Sequence, residues 1–460
     1  MQPSRWRLSG LLDKYFSGES MDYRQIFALF LPILVDQAFI IGLNLINTAM
    51  ISSSGVSAVS AVNMVDSLNM FMISLFVAVA TGGTVVVAQY KGSGDNYMVS
   101  RAGAATVASV SMIAFGIGML LVAFHNPVLS LLFGSASPEV LGNARTYLIG
   151  SSISYVGIGI VQAVCGVLRG IGRSRASLVL SLIMNLLYVA LNVVFVLLMD
   201  MGVNGLTLAI NIARYVGAAC ALYYLFKLDG TLHLRVRDLF HFPVSMLRKI
   251  MFIGVPFAAE QMFFNGGKLL TQIFIVSLGT YAIATHAISG ALAGITQIPA
   301  AALSLTIVTV VGQCIGRGDI QDARKFIRSF LWLGSLSLLL TGLIVMPLFH
   351  PLVSLFDPPP DIVDDLFLVL LINTIMQVPL WSVSFVLPSA LRAAGDSRFT
   401  SITSMLTMWL FRVILGYVLG ITLGMGILGV WLAMNLEWGV RGAVFLWRLR
   451  GKKWYAHKLI

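Results

Sequence analysis

Charged side chains are scarce in this chain of 460 residues. Asp, Glu, Lys and Arg together make up 11% of it, whereas apolar residues make up 58%. A soluble domain carries roughly 25% charged residues. Because so little polar surface is available to face water, the composition excludes a soluble globular protein and predicts a polytopic membrane protein.

Cysteine is also rare. The three cysteines, Cys165, Cys220 and Cys314, lie within or at the ends of apolar runs. An odd number of cysteines scattered in this way argues against a disulfide framework and against a thiolate metal site. We therefore expect no bound cofactor.

Motifs of catalysis are lacking. The sequence contains neither a G-x-x-x-x-G-K-[ST] nucleotide loop nor an H-E-x-x-H zinc motif. A membrane-embedded enzyme would need such a motif, or a cluster of His, Asp and Glu near one interface. We therefore expect that the protein is not an enzyme.

Long apolar runs dominate the sequence. About 20 apolar residues in helical conformation cross the hydrocarbon core of a bilayer. Twelve runs reach this length, and they lie near 24–51, 57–90, 98–124, 137–168, 176–199, 204–226, 246–277, 281–315, 326–348, 361–391, 399–422 and 426–448. The predicted fold class is an all-α membrane protein with twelve transmembrane helices.

The basic residues alternate between the two sides of these spans. Lys and Arg occur in both terminal segments and in every second loop. The intervening loops near 52–56, 125–136, 200–203, 278–280, 349–360 and 423–425 contain neither. By the positive-inside rule, both termini are predicted to be cytoplasmic in a multi-pass protein of the cell membrane. The net charge of +11 then belongs to topology and lipid headgroups, so we expect membrane lipid and not nucleic acid as a partner.

The two halves of the chain resemble each other. At a shift of 224 residues, Pro32, Asp36 and Gln37 fall on Pro256, Glu260 and Gln261, and "VVAQYKGSGD" (86–95) falls on "VVGQCIGRGD" (310–319). At a shift of 223, "LRGIGRSR" (168–175) falls on "LRAAGDSR" (391–398). The glycines of the first pair of blocks are predicted to allow sharp turns, and Asp95 and Asp319 to cap the helices that follow.

The repeat predicts the domain organisation. A cytoplasmic segment 1–23 precedes an N-terminal six-helix bundle 24–226. A cytoplasmic linker 227–245 joins it to a C-terminal six-helix bundle 246–448, and a cytoplasmic tail 449–460 follows. Two such pseudo-symmetric bundles in parallel orientation can rock against each other, as alternating access requires. The first segment is predicted to lie along the cytoplasmic interface, with Trp6, Leu11, Leu12 and Phe16 towards lipid.

Several segments resemble the multidrug and toxic compound extrusion (MATE) family. They are "ATGGTVVVAQYKGSGD", the two "LR" blocks above, "GKLLTQ" and "GVWLAMNLEWGVRGAVFLW". The resemblance covers nearly the whole chain. It implies a secondary transporter that exports organic cations against an inward flow of H⁺ or Na⁺. A small cationic substrate and one of these coupling ions are expected, and the protein is expected to be a monomer.

Two positions depart from the family pattern. Many relatives carry an aspartate late in the first helix, in a "V-D-T" setting, that serves ion coupling. Here that position is Asn47, within "INTAM". A second acidic position of some relatives corresponds to Asn192. Both asparagines stay candidate binding residues, but the coupling carboxylates of those relatives are missing.

Eight charged residues lie well inside the predicted spans, away from their ends, and each would cost about 2.5–3.5 kcal/mol if it faced lipid. They are Asp36, Asp66, Glu260, Glu437, Arg145, Arg214, Lys268 and Arg412. Asp36 and Glu260 are the leading candidates, because each follows a helix-interior proline by four residues in repeat-related positions. A proline frees a backbone carbonyl, so carboxylate and carbonyl oxygens can together hold Na⁺, or the carboxylate can exchange a proton. The alternative is a structural ion pair.

The other buried polar residues have more than one interpretation. Gln37 and Gln261 are candidates as neighbours of the two acids. Asp66 forms one polar stripe with Asn63 and Asn69 and is predicted to line a cavity. Lys268 can serve structure or gating, and His286 can relay protons or merely form a hydrogen bond. Arg412 and Glu437 are predicted to be a structural pair.

The hypothesis is an ion-coupled antiporter in which Asp36 and Glu260 bind the coupling ion or a cationic substrate. One alternative is a lipid-linked oligosaccharide flippase, or a metabolite exporter, of a related branch. A flippase would favour a basic cavity for phosphates, whereas the acids and bases well inside the spans number four each. Another alternative is a channel, which ordinarily builds its filter from several subunits.

Overall fold

The computed structural model describes residues 4–460, without the side chains of residues 4–8, 44, 45, 47–49 and 52. This part of the chain is almost entirely helical and contains no strand. Its helices are α1 (Ser4–Phe16), α2 (Tyr23–Ile51), α3 (Val56–Ser93), α4 (Asn96–Ala123), α5 (His125–Phe133), α6 (Pro138–Ile153), α7 (Tyr155–Gly170), α8 (Ser174–Asn192), α9 (Gly202–Tyr223), α10 (Val244–Ser277), α11 (Thr280–Arg317), α12 (Ile320–Val345), α13 (Phe349–Ser354), α14 (Val363–Trp381), α15 (Leu387–Ala393), α16 (Ser397–Thr407) and α17 (Gly426–Arg450).

Helices occupy all twelve predicted spans. Within residues 4–460, nine helical segments are long and apolar enough to cross a membrane, and α6 with α7 forms a tenth that is bent by 43°. The remaining two, α10 and α17, are 34 and 25 residues long but carry charged side chains such as Glu260 and Glu437. The predicted all-α membrane fold is confirmed.

The longest helices show the repeat directly. Helices α3 and α11 are both 38 residues long, and their bounds differ by 224 residues at each end. Each ends at a glycine with a left-handed backbone, Gly94 at φ 82° and Gly318 at φ 81°. Glycine adopts this conformation without the steric cost that a side chain would add.

The helices that follow these glycines begin with the predicted caps. The Asp95 carboxylate accepts a hydrogen bond of 3.0 Å from the Met98 backbone N–H. The Asp319 carboxylate accepts one of 2.9 Å from the Asp322 backbone N–H. A free N–H at each helix start is thereby satisfied, which stabilises α4 and α12.

Prolines and π-helical segments interrupt several spans. Pro32 lies inside α2, Pro256 inside α10 and Pro379 inside α14. Helices α8, α9, α14 and α16 continue as π-helical segments at Val193–Leu198, Tyr224–Leu228, Ser382–Val386 and Met408–Leu415. Such widened turns leave polar groups within reach of side chains from neighbouring helices.

The chain forms two compact units. One consists of Leu31–Ala258. Its core includes the buried rings of Phe76 and Tyr155, which pack edge to face. Helix α3 also approaches the start of α10 very closely, since a Cβ atom on Gly82 would lie 2.5 Å from the Ile250 carbonyl oxygen.

The other unit consists of the described residues up to Phe30 together with Ala259–Ile460. Helix α1 packs in it against α12, where the Phe16 and Phe330 rings have centroids 6.1 Å apart. Phe16 is 7% exposed. The prediction that Phe16 faces lipid is wrong, because α12 offers it an apolar face to pack against.

Candidate ion and substrate site

Glu260 is held in a buried ion pair. Helix α10 places it one turn after Pro256. Arg392, near the end of α15, donates from Nη2 to Glu260 Oε2 at 3.0 Å. The Ser401 hydroxyl on α16 donates to the same oxygen at 3.0 Å. Removing either charge from such a pair would leave the other buried and uncompensated.

Asp36 is the matching acid of the other unit, one turn after Pro32 on α2. It is 7% exposed. The Ser181 hydroxyl of α8 donates a hydrogen bond to its carboxylate, and the positive charge of Arg169 at the end of α7 acts on it. Within the described residues, no hydrogen-bond donor reaches Asp36 Oδ1, which is fully buried. Asp36 therefore has one oxygen to offer to a proton or a metal ion.

The two centres are built from the same parts. Arg169 and Arg392 are repeat equivalents, as are Asp36 and Glu260. In each unit, the acid lies on the first of six spans and interacts with an arginine that follows the fourth span. The acid also accepts a hydrogen bond from a serine on the fifth span. Both arginines belong to the basic loops predicted to be cytoplasmic. The register of the repeat was the signal that would have paired them with the acids.

Asp66 anchors a second polar group in the unit Leu31–Ala258. Its Oδ1 atom accepts hydrogen bonds from the Tyr147 hydroxyl at 2.8 Å and from Asn69 Nδ2 at 3.2 Å. The charge of Arg214 acts on the same carboxylate. Asp66 and Asn69 of the predicted polar stripe are therefore hydrogen-bonded to each other, and Arg214 supplies a counter-charge. The cavity-lining role of Asp66 stays a prediction.

Further hydrogen bonds extend this group. Asn69 Oδ1 accepts from the Tyr155 hydroxyl at 2.7 Å and from the Ser151 hydroxyl at 3.0 Å. Tyr188 shares hydrogen bonds with Tyr147 and Asn192, so the fully buried Asn192 joins the group. The other asparagine singled out from the family comparison, Asn47, has a side chain outside the described residues.

Glu437 lies between two arginines in the unit that contains Ala259–Ile460. Arg412 Nη2 is 2.6 Å from Glu437 Oε2, and Arg441 Nη1 is 2.9 Å from Oε1. All three residues are at most 5% exposed. The predicted Arg412–Glu437 pair is confirmed. Arg441 was missed because it lies one turn along the same helix, near the end assigned to the cytoplasmic tail.

Lys268 lies close to this triad but not to Glu260. Its Nζ atom is 4.8 Å from the centroid of the Phe264 ring, and the Arg412 guanidinium is 5.2 Å from the same ring. Lys268 is exposed, and none of the described carboxylates lies within ion-pair distance of it. The local charge around Glu437 is therefore positive.

The remaining candidates have simpler surroundings. His286 Nδ1 accepts a hydrogen bond of 3.2 Å from the indole N–H of the buried Trp431. His286 therefore forms the hydrogen bond that was one of its two predicted roles. Its other predicted role, as a proton relay, stays a prediction. Gln37 and Gln261 are half-buried beside their acids.

Comparison with known proteins decides the family. The MatE family model matches residues 32–194 and 256–418 of this chain, and the limits of the two matches differ by 224 residues at both ends. The repeat predicted from the sequence has the same shift. The chain belongs to the MatE family. MatE proteins are membrane transporters, and the chain carries two copies of the family's repeat.

Individual MatE relatives are similar over almost the full length. "Uncharacterized transporter YisQ" of Bacillus subtilis (strain 168) is 25% identical over 436 residues, which are 93% of this chain and 94% of that protein. "Probable multidrug resistance protein NorM" of Thermotoga maritima is 25% identical over 94% of this chain and 93% of its own. A solved structure described as "Crystal structure of MATE in the bent conformation" has a TM-score of 0.86 at 18% identity and covers 96% of this chain and 97% of its own. That likeness shows a shared fold.

The oxygen atoms of these two centres are chemically able to bind a proton or a hard cation. Among the described residues, no group of three or more His, Cys, Asp and Glu is arranged to hold a metal ion. Each predicted Na⁺ position offers one carboxylate and one serine hydroxyl, both oxygen donors. A hard cation such as Na⁺ prefers oxygen ligands, and the same carboxylate can take up a proton.

Proposed function

We propose that the protein is a secondary antiporter that exports small organic cations in exchange for inward movement of H⁺ or Na⁺. Support comes from membership of the MatE family and from relatives whose names describe multidrug resistance. We place it in the cell membrane with both termini in the cytoplasm, because the basic loops follow the positive-inside pattern. It acts as a monomer in which two bundles alternate access to the site.

The state of Asp36 is the single observation on which the coupling proposal rests. Its carboxylate is buried, bound on one side by Ser181 and influenced by Arg169, and its Oδ1 atom lacks a donor in the described structure. A proton or Na⁺ on this oxygen would neutralise the carboxylate. The attraction to Arg169 would then weaken, and α2 would be freer to move relative to α7 and α8.

Such a change couples ion to substrate only if both ligands distinguish the two conformations. The ion must bind one state better, and the cationic substrate must bind the other better. A negative Asp36 attracts a cation and a neutral Asp36 does not. Ion uptake would therefore favour substrate release.

Glu260 has a related but different role in this proposal. Its recorded contacts with Arg392 and Ser401 both use Oε2. Oε1 is then the atom that can face an ion or a cationic substrate. The pair with Arg392 offsets much of the charge of Glu260, so Asp36 is the stronger candidate for the exchangeable group.

Transport by the purified full chain in proteoliposomes tests the function. H⁺ and Na⁺ gradients are imposed separately, and uptake of a panel of fluorescent organic cations is compared with that of matched organic anions. We expect at least one cation to accumulate under one ion gradient and to stop when the gradient is collapsed. Accumulation that ignores both gradients would contradict an ion-coupled antiporter.

A second candidate function is transport of a phosphate-bearing lipid-linked oligosaccharide. The observation in its favour is the positive charge around Glu437, which pairs with Arg412 and Arg441 and lies near Lys268. Arginine and lysine bind phosphate well. Preferential transport of the anions in the same panel, abolished in Lys268→Gln, would favour this function over cation export.

A further inference from the structure

A groove runs along the outside of α12 in the unit that contains Ala259–Ile460. At one end is a cavity of about 660 Å³. Its lining includes Arg324, Arg328, Trp332, Pro379, Val383 and Arg450. Helices α12, α14 and α17 therefore supply its walls, together with the π-helical segment after α14.

The rim of this cavity is strongly basic. Arg324, Arg328 and Arg450 line it, and no acidic residue is among the lining residues described. Arg328 and Arg450 are exposed, and no described carboxylate lies within ion-pair distance of either. Three guanidinium groups without a carboxylate attract a compact anion, and arginine binds phosphate with two parallel hydrogen bonds.

The groove becomes apolar further along α12. A second cavity of about 530 Å³ shares the lining residues Val378 and Pro379 with the first, so the two lie side by side along α12. Leu339, Leu343 and Ile375 line it, and Thr374 is its one hydroxyl-bearing wall residue. A ligand that fills both cavities needs an anionic end and a long apolar end.

The backbone explains why the groove exists. Pro379 interrupts the hydrogen bonding of α14, and the helix then continues as the π-helical segment Ser382–Val386. Beside it, α12 and α14 approach closely, since a Cβ atom on Gly342 would lie 2.6 Å from Thr374 Cγ2. The close approach forms the floor of the groove, and the interrupted helix leaves space above it.

The dimensions fit a membrane lipid. From Arg328 to Leu343, α12 rises about 22 Å at about 1.5 Å per residue, more than half of a hydrocarbon core about 30 Å thick. Trp332 lies between the basic and apolar parts and is 79% exposed. Tryptophan at that position is typical of the interface between headgroups and acyl chains.

We infer that this groove binds an anionic phospholipid, with its phosphate on Arg324, Arg328 and Arg450 and an acyl chain beside Leu343 and Ile375. The basic end belongs to the side of the membrane predicted to be cytoplasmic, where anionic lipids attract basic residues. A cationic drug would be repelled by the three arginines. The site is separate from Asp36 and Glu260, so this inference does not depend on the transported substrate.

Native mass spectrometry of the full chain in detergent tests the inference. The protein is offered equal amounts of phosphatidylglycerol and phosphatidylcholine with identical acyl chains. We expect the wild type to retain phosphatidylglycerol preferentially. Arg328→Ala/Arg450→Ala should lower that preference by about fivefold for each arginine removed. Arg237→Ala, an exposed arginine of the linker, is the matched control and should leave it unchanged.

A second pair of variants tests the apolar part. Ile375→Trp places a large ring in the groove and should reduce retention of phosphatidylglycerol with all arginines intact. Ile414→Trp changes a similarly exposed position outside the groove and should not. Equal retention of both lipids by the wild type would overturn the inference, and so would equal losses in the groove variants and their controls.

Discussion

The Arg392 guanidinium lies 3.0 Å from the Glu260 carboxylate, and both side chains are buried. In the other repeat, Arg169 acts on Asp36 through its charge, and one oxygen of Asp36 has no donor in the described structure. Repeat-related positions thus hold a buried ion pair in one unit and an incompletely bonded acid in the other.

The Glu260–Arg392 pair is predicted to stabilise the fold. Glu260→Gln leaves a buried arginine without a counter-charge, and we expect a loss of about 3–5 kcal/mol in the free energy of unfolding. The double variant Glu260→Gln/Arg392→Met should recover much of this loss. Unfolding of the purified protein in detergent measures both effects. A double variant less stable than Glu260→Gln would contradict the assignment.

The triad around Glu437 should be more sensitive to loss of its acid than of one arginine. Glu437→Gln leaves both Arg412 and Arg441 uncompensated, so we expect a loss of at least about 3–5 kcal/mol. Arg441→Met keeps the Arg412–Glu437 pair and should cost less. The amount of folded protein recovered from membranes and its unfolding midpoint give the comparison. Equal costs would show that Arg412 does not carry the pairing.

The hydrogen bond between Tyr147 and Asp66 is predicted to matter because its acceptor is a carboxylate. Tyr147→Phe should lower the free energy of unfolding by about 1.5–3 kcal/mol, the range for bonds to charged groups. Tyr215→Phe removes a neutral bond of 2.6 Å to the Ile153 carbonyl oxygen at an exposed position. Its effect should be about 0.5–1.5 kcal/mol. The reverse order would place Asp66 in its neutral form.

Alanine substitutions at Gly94 and Gly116 should change the free energy of unfolding in opposite directions. Gly94 has φ 82°, so Gly94→Ala should destabilise the turn before α4 by about 1–2 kcal/mol. Gly116 lies inside α4 with open space around its Cβ position, so Gly116→Ala should stabilise by up to about 1 kcal/mol. Unfolding midpoints of the two variants measure the difference. Stabilisation by both substitutions would show that alanine at position 94 adopts the left-handed conformation without cost.

Much of the fold could be predicted from the sequence, because a membrane imposes simple rules. Apolar length gave the twelve spans, and the 224-residue shift gave the repeat that the family match reproduces. The caps at Asp95 and Asp319 followed from local chemistry alone. The spans and the caps depend on residues that are near each other in the chain, and the repeat appears when the two halves of the sequence are compared.

The site was less predictable because its partners are far apart in the chain. Arg392 is 132 residues from Glu260. Glu437 is 25 residues from Arg412. That pair could be predicted because the two residues lie at similar depth on adjacent spans. Arg214 and Tyr147 could be placed near Asp66 only by the packing of α3, α6 and α9. Rotation of helices about their axes decides such contacts, and composition does not specify it.

The central claim is that Asp36 carries the ion-dependent step, and transport by Asp36→Asn in proteoliposomes tests it most directly. Asp365→Asn, an exposed acid on α14, is the matched control. We predict that Asp36→Asn loses accumulation driven by an ion gradient. Exchange of labelled for unlabelled substrate without a gradient should persist only at higher substrate concentration, because a neutral side chain attracts a cation less. Accumulation at the wild-type rate in Asp36→Asn would contradict the account.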